Sequence, residues 1–256
     1  MTVFISPLCI AACTFATFSL SLAASGPAGP WDAELITLPT DIQAKYNARC
    51  LDGTTPGLYL RKGDPTRFKF HIQGGGWCNS FQECAYRAKS ILGSNATWTP
   101  WLSAFWPPEG AGFYGFEDAN ATNPFGSYTF AWLTYCDGSS FTSDAVDPMT
   151  EGNVTIWNRG RANLDAYLDL LERETGVLSN AVDVVVSGTS AGGLATYLHS
   201  GYIKSRLLQR PNRLLALPDA GFFLDGMIGP CRQGDFRLFA PPRLLPYPVT
   251  SHLEFP

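Results

Sequence analysis

Ala181-Val182-Asp183-Val184-Val185-Val186-Ser187, running straight into Gly188-Thr189-Ser190-Ala191-Gly192-Gly193, is the stretch on which the fold turns. Its first half is a short β-branched run suited to a buried strand, and its second half sets small residues around one serine. Downstream, Leu194, Tyr197, Leu198 and Tyr202 recur at helical spacing, so Ser190 is predicted to sit on a sharp turn between strand and helix. A five-residue pattern of common residues also occurs by chance in loops. The strand before it and the helix after it make this one read as a G-x-S-x-G nucleophile elbow, whose small residues tolerate a strained backbone and lift the serine hydroxyl clear of the sheet.

The same alternation extends outward. Arg67 to Ile72 alternates around Phe68 and Phe70 and ends at Gln73-Gly74-Gly75-Gly76-Trp77-Cys78. Tyr128 to Tyr135 is an apolar strand stopping at Cys136-Asp137-Gly138-Ser139-Ser140. Gly160 to Thr175 carries Leu164, Tyr167, Leu168 and Leu171 on one helical face, with Gly176 placed to stop it. A helix from about Ala191 to Arg210 leads to Leu214 to Leu217 and then Pro218-Asp219-Ala220-Gly221. Tyr46 to Leu60 reads as two extended segments around an Asp52-Gly53 turn, and residues 93 to 127 as a long irregular loop or cap. Strands alternating with helices predict an α/β fold, a doubly wound and mostly parallel sheet whose ligands bind beyond the carboxyl ends of the strands.

With 256 residues, 45% of them hydrophobic, the chain can bury one large core or two small ones. A net charge of −4 with only 18 Lys and Arg and no basic run argues against a nucleic-acid partner, and it gives an anionic polymer no steering. Residues 1 to 25 are apolar, free of charged side chains and end in Ala23-Ala24-Ser25. They read as a signal peptide cleaved near Ala24 or Ser25, the rival being an uncleaved anchor. A Pro/Gly spacer over 26–45, a main domain over 46–226 and an irregular, Pro-rich tail over 227–256 complete the expected organisation. No membrane association is expected after cleavage, and a monomer is expected.

Cys78 and Cys84 are close enough for a small disulfide loop, Cys50 with Cys136 is then the second bridge, and Cys231 is left over. Metal ligation by Cys78 and Cys84 finds no second Cys or His pair, so no metal is expected. Asn95, Asn120 and Asn153 each open an Asn-x-Thr sequon and, behind a leader, imply glycosylation and a secreted, extracellular or cell-wall location.

A serine hydroxyl needs a base within hydrogen-bond reach, itself oriented by a carboxylate. Of three histidines, His71 lies inside a predicted strand and His199 in the helix after the elbow, pointing away from it; both read as structural. His252 follows Ser190 in the right order and is the candidate base, although it sits on the Pro-rich tail with no element to fix it. The oxyanion donors are better supplied, by the amide of Ala191 and by the Gly74-Gly75-Gly76 loop. With no Lys following and no GxGxxG spacing, the loop does not read as a phosphate cradle. No cofactor is expected.

Taken together, Cys50-Leu51-Asp52-Gly53, the Gln73 to Cys78 glycine block, Tyr135 to Phe141, Gly188 to Leu194, and Asp219-Ala220-Gly221-Phe222-Phe223-Leu224-Asp225 resemble the pectin acetylesterase family, which includes the animal Notum carboxylesterases. The resemblance covers roughly Cys50 to Asp225. It implies an α/β-hydrolase-like fold and a serine esterase acting on acetylated polysaccharide or another acyl ester, with Ser190 as nucleophile and the Gly75, Gly76 and Ala191 amides as oxyanion donors. In that family the Asp219 block lies near the site without supplying the triad acid. The family's acid and base come later in the chain, and from Met227 onward no block matches, so the C-terminus reads as truncated. The alternative is a catalytically inactive carbohydrate-binding or interaction protein built on the same pocket.

Overall fold

The computed structural model of the chain describes residues 33–102, 123–208 and 211–223. The expected leader, Asn120, Cys231, His252 and the tail lie outside the described residues. The centre is a seven-stranded sheet in the order β4-β1-β2-β5-β3-β8-β9. Its strands are β1 (Ala33–Thr37), β2 (Gly57–Arg61), β3 (Asp64–Ile72), β4 (Trp101–Leu102), β5 (Tyr128–Leu133), β8 (Asp183–Thr189) and β9 (Arg213–Asp219). β6 (Met149–Glu151) and β7 (Val154–Ile156) form a separate hairpin. Neighbours β5, β3, β8 and β9 are mutually parallel. β1 pairs antiparallel with β2 and β2 with β5, so β1 shares their direction and five of the seven strands run one way. This is the mostly parallel sheet that the alternation predicts, in keeping with the α/β-hydrolase-like fold that the resemblance implies.

Register explains why the short motifs converge. Ile72 lies beside both Leu133 and Gly188, and Thr189 lies beside Asp219. The glycine loop, the Asp137-Gly138-Ser139-Ser140 block, Ser190 and Asp219 therefore leave four adjacent strands at the same end of the sheet, where α/β sheets bind ligands.

One sheet face carries Leu58, Leu60, Phe68, Phe70, Ile72, Leu133, Val184 and Val186. These join one buried cluster with α3 (Gly160–Thr175), α4 (Val177–Asn180) and α5 (Ala191–Arg206). The predicted stripe of α3 is buried, and Gly176 ends that helix in the left-handed conformation at φ 67°. The opposite face carries Tyr59, Lys69, His71, Phe130 and Trp132, all buried, with Lys69 Nζ lying over the rings of Phe125 and Phe130.

Three expectations change. Part of the expected spacer is structured: β1 joins the sheet, and α1 (Thr40–Tyr46) packs on α3, so the folded unit begins before residue 46. Tyr46 to Leu60 is not a hairpin but the end of α1, a loop and β2. That loop is pinned by side chains instead of a strand ladder. Arg159 donates to the carbonyls of Tyr46 and Asn47 at the end of α1, and Asn163 both accepts from Arg49 N and donates to its carbonyl. Within residues 93–127, the segment Trp101–Leu102 pairs with β1, and residues 103–122 lie outside the described residues.

Both expected disulfides form: Cys50–Cys136 across 86 residues and Cys78–Cys84 across six. Closing the longer loop restricts the unfolded chain by about 4–5 kcal/mol, the shorter by about 2. Replacing Cys50 and Cys136 together by alanine should lower the melting temperature well beyond the Cys78 and Cys84 pair; the reverse order in calorimetry would contradict this account.

Candidate active site

Ser190 links β8 to α5 with φ 58° and ψ −120°, a conformation that costs of order 1–3 kcal/mol for a non-glycine residue and persists only where neighbours over-determine it. Here the neighbours are identifiable. Ser190 N donates to the Asp219 carbonyl at 2.9 Å, Leu194 N to the Ser190 carbonyl at 2.9 Å, and Thr189 Oγ1 to Asp219 Oδ2 at 3.3 Å. A Cβ placed on Gly192 would collide with the Ile72 carbonyl oxygen, and one on Gly193 with that of Asp219. The first turn of α5 thus lies backbone against backbone on the ends of β3 and β9, which only glycine permits. Gly221 meets Gly193 in the same way, giving the Asp219-Ala220-Gly221 block its physical role: it clamps the elbow.

The helix begins where the sequence places it and ends at Arg206 instead of about Arg210. Tyr197 and Leu198 are half exposed, while Ala191, Gly192, Gly193, Ala195, Thr196, His199 and Ile203 face the core. A helix that starts this close to the sheet must present its smallest residues to it.

The glycine loop lies directly against the elbow. A Cβ on Gly74 would strike the Thr189 carbonyl and come within 3.4 Å of Ser190 Cβ. Gly75 and Gly76 adopt φ 134° and 67°. Their carbonyls are tied down, that of Gly75 by Arg87 Nη1 at 2.8 Å and that of Gly76 by the Tyr135 hydroxyl at 2.8 Å. In a trans peptide the N–H points opposite to the C=O, so the amides of Gly76 and Trp77 face away from Arg87 and Tyr135. The loop thus presents two backbone N–H groups, those of Gly76 and Trp77, on the side opposite the residues that hold its carbonyls. Among the described residues, none accepts a hydrogen bond from the amides of Gly75, Gly76 or Ala191.

Behind both lies the Asp137 block. Asp137 is wholly buried, and its carboxylate accepts from Ser139 N at 3.0 Å, from Ser139 Oγ and from Phe141 N at 3.1 Å. Burial pushes its pKa up while these donors pull it back down. Trp77 Nε1 donates to Ser140 Oγ, and the Trp77 ring meets Phe223 edge to face at 4.9 Å, forming an aromatic rim beside the loop.

Neither described histidine serves Ser190. His71 stacks on Trp132 and pairs through Nδ1 with Ser187 Oγ at 3.1 Å, and burial, aided by the Lys69 charge, lowers its pKa to about 3. His199 Nε2 bonds the Ser140 carbonyl at 3.0 Å and must therefore carry the proton there; burial lowers its pKa to about 4. Both are neutral at pH 7, as structural histidines. Among the described residues, none hydrogen-bonds Ser190 Oγ, and no cluster of His, Cys, Asp and Glu suits a metal. Of the sequons, Asn153 is exposed at the β6–β7 hairpin, whereas the Asn95 side-chain amide donates to the Thr55 carbonyl at 2.8 Å.

A strained serine between strand and helix, glycine-loop amides beside it and a mostly parallel sheet beneath define an α/β-hydrolase-type fold with a nucleophile elbow. The pectinacetylesterase family model matches residues 33–231, and the chain belongs to that family. It is 34% identical over 186 residues to pectin acetylesterase 11 of Arabidopsis thaliana, covering 70% of this chain and 44% of that protein. It is 25% identical to the palmitoleoyl-protein carboxylesterase NOTUM of Schmidtea mediterranea, over 70% of this chain and 33% of that one. The structure of the Wnt deacylase Notum from Drosophila shares the fold with a TM-score of 0.61 at 19% identity, covering 76% of this chain and 54% of the other. The chain thus spans about half the length, or less, of the relatives it matches.

The His199 protonation state gives a test with a defined sign. Between pH 6.5, where an unfolded histidine titrates, and about 4, the unfolded chain binds a proton that folded His199 refuses. Its contribution is therefore complete above pH 6.5 and falls on acidification by about 1.4 kcal/mol per pH unit. His199→Gln, which keeps a donor for the Ser140 carbonyl, should flatten the pH dependence of unfolding in this window by one proton; an unchanged slope in denaturant titrations would reject the assignment.

Proposed function

We propose that this chain is a secreted serine carboxylic ester hydrolase that removes acetyl groups from a cell-wall or other extracellular polysaccharide through an acyl-enzyme on Ser190. The observation that carries the reading is Ser190 at φ 58°, with the Ala191 amide and the glycine loop on either side of it. Family membership supports it, and so do the named activities of the relatives, pectin acetylesterases in Arabidopsis and palmitoleoyl-protein carboxylesterases in animals. Two disulfides and the apolar leader support export through an oxidising compartment. Of the two sequons among the described residues, Asn153 is the exposed one and is the candidate to carry a glycan.

In this mechanism Ser190 Oγ attacks the acetyl carbonyl as a base takes its proton. The carbonyl π electrons move to oxygen, and the oxyanion rests on the amides of Ala191 and the glycine loop. One such donor is worth about 10²–10³ in rate. Collapse expels the sugar hydroxyl, which takes up the proton, and leaves an acetyl-serine that water hydrolyses to acetate. His252 is the candidate base by chain order. The Trp77–Phe223 rim offers a flat apolar surface for a sugar ring.

A second reading, a carbohydrate-binding protein without turnover, uses the same pocket. It is favoured by the two described histidines, each buried and bonded away from Ser190. Turnover of p-nitrophenyl acetate by the purified chain and by Ser190→Ala separates the readings. The esterase predicts a loss of at least about a thousandfold in the variant. Equal rates would remove Ser190 from the chemistry, and binding of acetylated oligosaccharide without turnover would establish the second reading. Acetate release from pectin against xylan then ranks substrates.

A further inference from the structure

Ser140 is almost completely buried, and each of its polar groups is used. Its N–H donates to the Tyr135 hydroxyl at 3.0 Å, and its carbonyl accepts from His199 Nε2 at 3.0 Å. Its Oγ accepts from Trp77 Nε1 at 2.7 Å and donates to the Ala191 carbonyl at 2.8 Å. Ser140 and Phe141 both have positive φ, 52° and 60°. Two successive non-glycine residues in the left-handed region persist only where their surroundings hold them. The partners belong to two separate structures. Trp77 closes the glycine loop, and Tyr135, which binds the Ser140 N–H, is also the group that ties down the Gly76 carbonyl. Ala191 is the first residue of α5 and carries the amide next to Ser190.

We propose that Ser140 is a positioning residue that sets the spacing between the two halves of the oxyanion hole, the glycine loop and the start of α5. The proposal rests on the reading of these amides as oxyanion donors. Its hydroxyl is a side-chain link between them: indole N–H to Oγ, then O–H to the Ala191 carbonyl. Donors must lie within about 2.7–3.1 Å of a developing oxyanion, and a misplacement of about 1 Å can cost a hundredfold. Removing only Oγ cuts both hydrogen bonds of this link, from the half-buried Trp77 indole and to the Ala191 carbonyl, and frees the loop to shift relative to the helix. Ser140 itself touches no reacting atom. Its effect should therefore appear in kcat and spare substrate binding.

The test uses the full chain with p-nitrophenyl acetate, and compares Ser140→Ala, Trp77→Phe and the double variant. Ser140→Ala is expected to lower kcat by about 10- to 100-fold with KM within about twofold. Trp77→Phe cuts the same link from the other side, so the double variant should be no slower than the slower single variant. Losses that multiply, or a folded Ser140→Ala with unchanged kcat, would overturn the proposal. Should Ser140→Ala fail to fold, Trp77→Phe alone carries the kcat prediction. Hydrogen exchange supplies a readout independent of turnover: in whichever variant folds, segments 73–80 and 188–194 should both exchange faster than in the wild-type chain. Faster exchange confined to 137–143 in Ser140→Ala, or to 73–80 in Trp77→Phe, would refute the link. A wild-type chain that turns over nothing would count against the esterase reading, and exchange would then decide the role of Ser140.

Discussion

The first turn of α5 rests on the strand ends beneath it with no side chains between, and the rest of the site follows from that contact. Gly192 against the Ile72 carbonyl and Gly193 against Asp219 and Gly221 bring the helix so close that β8 must turn into it within one residue. Ser190 is that residue, and its φ of 58° is the cost of the turn. The two backbone bonds on either side of it, to Asp219 and from Leu194, offset part of the strain. The contact also dictates where the glycine loop runs, because Gly74 meets the Thr189 carbonyl from the other side. Arg87, Tyr135 and Ser140 then hold the loop in place.

What the sequence makes legible is what has a local or periodic cause. The strand before Ser190, the alternation around Phe68 and Phe70, and the leucine stripe of α3 with its Gly176 stop all express themselves within a few residues. β1 and α1 were harder to see, because Ala33–Thr37 is short and follows a Pro/Gly stretch, and its partners Gly57–Arg61 come 20 residues later. The segment after α1 takes its shape from Arg159 and Asn163, which lie more than a hundred residues away in the chain. The buried face of α5 has a related cause: the geometry of the elbow reserves it for small residues and leaves Tyr197 and Leu198 half exposed.

The candidate site divides along the same line. Ser190, Ala191 and the three glycines announce themselves by residue type, since their chemistry demands a nucleophile and an unobstructed backbone. The groups that aim them do not. Arg87, Tyr135 and Ser140 act through bonds that span 12, 59 and 51 residues, to Gly75, Gly76 and Ala191, and no spacing rule connects them. The electrostatics add a cause to what the sequence shows: His71 and His199 read as structural from their places in a strand and a helix, and burial makes both neutral struts.

The separation of the two disulfides along the chain bears on the order in which the protein is made. Synthesis runs from the N-terminus, so Cys84 follows Cys78 almost immediately, while Cys50 must wait for Cys136, 86 residues on. By then the nascent chain already contains the glycine loop, closed off on its downstream side by its own small ring. In the folded chain the long bridge joins the loop after α1 to the segment that follows β5, beside the pairing of Tyr128–Leu133 with β2 and β3. Ser190 emerges later still, after all four cysteines of the two bridges.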